Sequence, residues 1–190
     1  RNPDHVDDVV ADGAEAVVCD LEDADSDLDA ALAGADAVVF AAGAGPGSGA
    51  ARKATVDLGG VRRTIASAEA VGVDRLVVIS AMGTDDPPDD DEVFSVYLRA
   101  KAEADEAALA STLSVTIVRP GALTDDDGTG HVVLERHVPP GSIPRADVAS
   151  VVADVLDRSD TGGHIVEVVS GPTPIVEAVA AIPDLPGGRT

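Results

Sequence analysis

Apolar residues fall along this chain in two rhythms. In five short runs, AEAVVCDL (14–21), DAVVF (36–40), RLVVIS (75–80), SVTIVRPG (114–121) and HIVEVV (164–169), most positions are apolar. Such runs predict strands covered on both faces. Between and around them the apolar positions take helical spacing. PDHVDDVVADG reads as helix ahead of the first run, and SDLDAALAGA as a short capped helix. Longer helices are predicted from about Ala50 to Val71, from Val93 to Ala110 and from Asp147 to Leu156, with a last one in TPIVEAVAAI. Strand and helix alternate, so the predicted fold class is α/β, a doubly wound parallel sheet in three α/β/α layers. A single domain over 1–190 is expected, without repeats or linkers. The stretch 124–144, rich in Gly, Pro and charge, breaks the rhythm. It follows the carboxyl end of a strand, where open α/β sheets take their ligands, and is read as a substrate-side excursion.

The strand DAVVF runs into AAGAGPGSGAA, whose glycines at 43, 45, 47 and 49 alternate. A dinucleotide fingerprint needs Gly-x-Gly-x-x-Gly. Counted from Gly43 the third glycine falls on Ser48, and from Gly45 on Ala50. The next strand ends on Ser80, where a ribose-reading acid or base would be wanted. This loop is therefore predicted to flank a ligand, with the phosphate cradle elsewhere.

Composition narrows the partners. The formal net charge is −22, from 35 acidic against 13 basic residues, and lysine occurs only at 53 and 101. Such a field repels DNA, RNA and anionic membranes, so a nucleic-acid or membrane partner is not expected and a small-molecule substrate is. The acidity and lysine scarcity suit a halophilic protein in a salty cytoplasm. Aromatics make up 2% of the chain, so the core must be aliphatic. Cys19, the one cysteine, reads as a small buried hydrophobe. The acidic run 85–92 reads as a solvated loop.

Tyr97 and Lys101 stand one helical turn apart in YLRAKAEAD. A phenol titrates near 10, and an ammonium beside it favours the phenolate and lowers that value. Tyr97 is the only tyrosine, and Lys101 is one of two lysines. Ser80, at the carboxyl edge of its strand, could orient a substrate carbonyl, with Thr84 or Ser95 as alternatives.

Taken in order, these segments resemble the short-chain dehydrogenase/reductase superfamily, in particular its atypical NAD(P)-binding members related to sugar-nucleotide epimerases. The resemblance implies a Rossmann-like fold and a catalytic set of Tyr97 as general acid/base, Lys101 as neighbouring and ribose-holding cation, Ser80 as carbonyl donor, and Asp57 where the family usually has asparagine. It implies cofactor contacts from Arg1 to a 2′-phosphate, from Asp20 and Leu21 to adenine, from the backbone of Ala41, Ala42 and Gly43 to ribose, and from Pro120 and Gly121 beside the nicotinamide. Arg1 favours NADP over NAD, since a 2′-phosphate wants a guanidinium. The family's glycine motif lies on a first strand that this sequence lacks, so the record is expected to begin roughly 30–40 residues late, by the length of a βαβ unit. Asp57 cannot donate as an amide does, which leaves a cofactor-binding sensor or assembly protein without turnover as the alternative function.

Other chemistry fits less well. Neither Ser48 nor Ser80 has the flanking glycines of a hydrolase elbow. His131, Glu135 and His137 have conceivable ligand spacing, yet surface histidines explain them, and no metal is expected. Arg119 either meets cofactor or anchors its loop.

Overall fold

A computed structural model describes residues 2–45 and 47–186. A short helix α1 (Val6–Ala11) opens the chain, and α2 (Leu28–Leu32) starts on Asp27, whose carboxylate accepts from the Ala30 amide. Strand β1 (Val38–Phe40) leads through the glycine loop into one continuous helical run in three parts. These are α3 (Ala50–Arg52), a π-helical turn over Lys53–Leu58, and α4 (Gly59–Val71), closed by Gly72 in the left-handed region. Then follow β2 (Arg75–Ile79), α5 (Val93–Ala110) and β3 (Ser114–Pro120). The excursion holds β4 (Ala122–Thr124), β5 (His131–Glu135) and β6 (Ser142–Pro144). The chain ends with α6 (Arg145–Leu156), β7 (Ile165–Ser170), β8 (Thr173–Pro174) and α7 (Ile175–Ala180).

The main sheet runs β1-β2-β3-β7-β5-β8, and its first four strands are mutually parallel. Side chains alternate across it. Leu76, Val78, Val115 and Ile117 pack with Val61, Ala104 and Ala108 of α4 and α5. Val77, Val118, Val166 and Val168 pack with Val151, Val155 and Val179 of α6 and α7. The result is the three-layer α/β/α arrangement expected from the pattern. Phe40 of β1 is the aromatic of this layer, and it packs against Gly60 of α4.

The structure corrects two expectations. The run 14–21 forms no strand, and Val17 and Val18 are exposed. A strand exists only through its ladder, and β1 at the sheet edge pairs with β2 alone among the described residues. Second, the sheet is mixed. HVVLE at 131–135 is a strand antiparallel to β7, half-buried in alternation, which the charged surroundings concealed. The excursion thereby becomes part of the core, pinned by Asp147 on α6. That carboxylate accepts from the Thr129 and Gly130 amides and the Thr129 hydroxyl.

Candidate functional site

The carboxyl ends of β1 and β2 open on a cleft of about 600 Å³. Its walls are the 41–48 loop, the π-turn, the first turns of α5, and Leu123 and Arg145 from the excursion side. Gly45 and Gly47 adopt φ of +78° and +75°, which glycine takes without strain, and so curl the loop over the cleft. The π-turn has wider backbone spacing than an α-helix; π-turns are often found at functional sites. Here it buries both Lys53 and Asp57 against α5. Tyr97 and Lys101 line the same cleft, as the one-turn spacing predicted, and Ser80 lies at its floor.

The electrostatics differ from the simple tyrosine–lysine picture. Lys101 Nζ donates to the Ile79 carbonyl at 3.0 Å and sits 3.5 Å from Asp57 Oδ1. It lies 6.0 Å from the Tyr97 ring centre. Burial lowers its pKa, although Asp57 and Asp105 oppose that. The Tyr97 phenol is pushed up to about 12, first by burial and then by the carboxylates of Asp57 and Asp105. The lowering anticipated from Lys101 does not occur: burial dominates, and Lys101 faces Asp57. Ser80 likewise turns inward and donates to Asp105 Oδ2 at 2.9 Å. Thr84 bonds the Ala81 carbonyl and Ser95 is buried, and neither reaches the cleft.

Asp57 Oδ2 accepts from the Ala44 amide at 3.3 Å. It therefore ties the glycine loop to the π-turn, a task for which a carboxylate serves as well as an amide. Asp105, one further turn along α5 from Lys101, is nearly fully buried, and burial raises its pKa against the pull of Arg119 and Ser80. Arg119 holds it through Nε at 3.0 Å and a second nitrogen at 2.9 Å, and reaches Asp85 on its other side. Arg119 is thus an anchor inside the molecule. Asp85, at the head of the acidic run, is not simply solvated, and Arg99 bonds the Pro88 and Asp90 carbonyls of the same run.

Sequence reasoning missed Lys53, Asp105 and Arg145. Asp105 carried a signal, since Tyr97, Lys101 and Asp105 repeat at four-residue spacing and share one face. Asp85, His137 and Glu167 offer ligand atoms within 4.8 Å of one another, a different trio from the one considered by spacing. Both Asp85 oxygens already face Arg119 and Arg136, which makes this an ion-pair network.

A second hollow of about 300 Å³ adjoins the cleft and shares Ala42, Gly43 and Ala44 with it. Asp20 and Leu21 line this hollow, together with a half-buried Cys19. Arg63 holds their loop by donating to the carbonyls of Leu21, Asp23 and Ser26. The two hollows lie on either side of the 42–44 backbone, beyond the carboxyl end of β1. Between them, a Cβ on Gly43 would lie 3.2 Å from Asp57 Oδ1, so a bare Cα lets this carboxylate pack close to the loop. Asp20, Leu21 and the backbone of 42–44 could hold the adenosine side of a dinucleotide, whereas the phosphate cradle is expected elsewhere. Pro120 is buried in β3, and Gly121 lets the Gly141 carbonyl approach too closely for any Cβ; neither lines the cleft. Arg1 lies outside the described residues.

Comparisons with known proteins address the family and the fold. A family model described as NAD(P)H-binding matches residues 1–159. The uncharacterized sugar epimerase YhfK of Bacillus subtilis is 37% identical over 169 residues, covering 89% of this chain and 79% of its own. The yeast protein YMR090W of Saccharomyces cerevisiae is 34% identical over 182 residues, covering 90% and 78%. A provisionally assigned NAD-dependent epimerase/dehydratase from Bacillus halodurans superposes with a TM-score of 0.88 at 40% identity, over 95% of this chain and 84% of that one. With its model spanning well over half of the sequence, the protein belongs to this NAD(P)H-binding family.

Proposed function

We propose that the protein is an NADPH-dependent reductase of a small carbonyl compound, bound in the cleft beside Tyr97. The observation that carries this reading is a lone phenol, held protonated by its surroundings, lining the cleft at the strand ends of an NAD(P)H-binding family fold. When bound, the cofactor supplies a hydride. Asp20, Leu21 and the backbone of 41–43 would hold its adenosine side, and Lys101 would hold its ribose. Tyr97 gives its proton to the carbonyl oxygen as that oxygen gains negative charge. A phenol with a value of about 12 is a competent donor to an alkoxide and a poor base at neutral pH. Arg1 supports NADPH over NADH through the 2′-phosphate.

Full-length protein should oxidise NADPH with members of a carbonyl panel, and more slowly with NADH. Tyr97→Phe should lower turnover by at least about 100-fold, within the usual range for a lost general acid, with NADPH affinity nearly unchanged. Undiminished turnover in that variant would remove Tyr97 from the chemistry. A second reading, cofactor binding without turnover, is favoured by the inward-facing Ser80 and Lys101. It predicts NADPH binding by calorimetry with no consumption across the same panel.

A further inference from the structure

Lys53, the other lysine, has no place in this chemistry. It sits on the π-turn, its side chain is nearly buried, and it lines the cleft facing Tyr97, with Nζ 5.1 Å from the ring centre. Its ammonium donates to the Gly45 carbonyl at 3.1 Å, a group that also accepts from the Ser48 hydroxyl. An ammonium has three donors, and a buried one is normally matched by an anion. Among the described residues Lys53 makes no ion pair, in a chain where acidic residues outnumber basic ones 35 to 13. The nearby carboxylate, Asp57, is engaged by Lys101 and the Ala44 amide. Lys53 also acts on Lys101 as a like charge. Of the remaining cations on the cleft, Arg145 is matched by Asp125. The interior of the cleft thus carries one uncompensated positive charge inside a strongly acidic molecule. Its rim is apolar, since Val93, Phe94 and Leu123 line it and are 50%, 65% and 40% exposed.

We propose that Lys53 anchors an anionic group of the substrate, a carboxylate or a phosphate, while an apolar body rests on Val93, Phe94 and Leu123. This rests on the reading of the cleft as the substrate site and names the substrate class. The reducible carbonyl and the anion belong to one small amphiphilic molecule. The charge that the fold leaves open is closed by the ligand, and neutral analogues lose that partner.

The test is direct binding to the NADPH-loaded, full-length protein by calorimetry, which needs no turnover. The probes are 4-oxo-4-phenylbutanoate, its methyl ester, and 2-phenylethyl phosphate. At least one anion should bind the wild type about tenfold or more tightly than the ester, and the better of the two identifies the head group. Lys53→Met should abolish that preference, and Lys53→Arg should keep most of it, with NADPH affinity unchanged in both. Retained NADPH affinity also reports that each variant is folded. The proposal is overturned if neither anion binds more tightly than the ester to the wild type, or if Lys53→Met keeps the preference. It is equally overturned if Lys53→Met weakens NADPH by a comparable factor, since Lys53 would then hold a cofactor phosphate. Selective anion binding with no NADPH consumption across the carbonyl panel defeats the reductase reading and leaves the anchor in place. Turnover of acid and ester alike does the reverse.

Discussion

Tyr97 can be watched alone. The chain has one tyrosine and no tryptophan, so phenolate absorbance near 295 nm reports this residue without overlap. In the folded, cofactor-free protein it should titrate at about 12, and after unfolding near 10. A folded value at or below 10 would show that the cations outweigh burial and the two carboxylates. The same shift has a consequence for stability. The folded value lies above the unfolded one, so the native state holds the proton longer. The contribution of Tyr97 is complete below about pH 10 and is lost as pH rises through about 12. Tyr97→Phe should therefore flatten the alkaline decline of stability followed by circular dichroism.

At the scale of elements, the site depends on two local departures from regularity. One is the π-turn, where the Gly59 amide bonds Ala54 five residues back and Lys53 and Asp57 face the cleft together. The other is the junction of β3 with the excursion. The Gly121 amide donates to Val168 and the Ala122 amide to Gly141, which starts the β4–β6 pairing. A Cβ at 121 would collide with the Gly141 carbonyl and lie 2.8 Å from a Val169 methyl carbon. Gly121→Ala should cost about 1–3 kcal/mol, the usual range for forced overpacking, read from denaturant midpoints. It should also loosen the wall that carries Leu123. A variant as stable as the wild type would mean that this junction yields easily.

For the whole molecule, charge is the dominant variable. A net charge of −22 on 190 residues repels itself, and salt shortens the reach of that repulsion from about 10 Å at 0.1 M to about 3 Å at 1 M. Stability should rise with KCl. A gain of about 2 kcal/mol between 0.1 and 2 M would lift Tm by roughly 4–8 °C for a chain of this size. A Tm independent of salt would contradict a repulsion-limited fold and the halophilic reading with it. Among the described residues no helix is long and apolar enough to cross a membrane.

The alternation of apolar runs with helical stretches determined the three layers, because burial on both faces leaves a strand few other places to lie. It determined Val93–Ala110 as a helix and, through one-turn spacing, that Tyr97 and Lys101 share a side. Pairing and charge state depended on tertiary neighbours. The valines at 17 and 18 found no ladder partner, whereas those at 132 and 133 found β7. Lys101 met Asp57 before it met the phenol, and Lys53 entered a cleft that no local pattern marks. Spacing fixes which way a side chain points. Which charge meets it there is set by residues distant in sequence, and those contacts exist only once the sheet has closed.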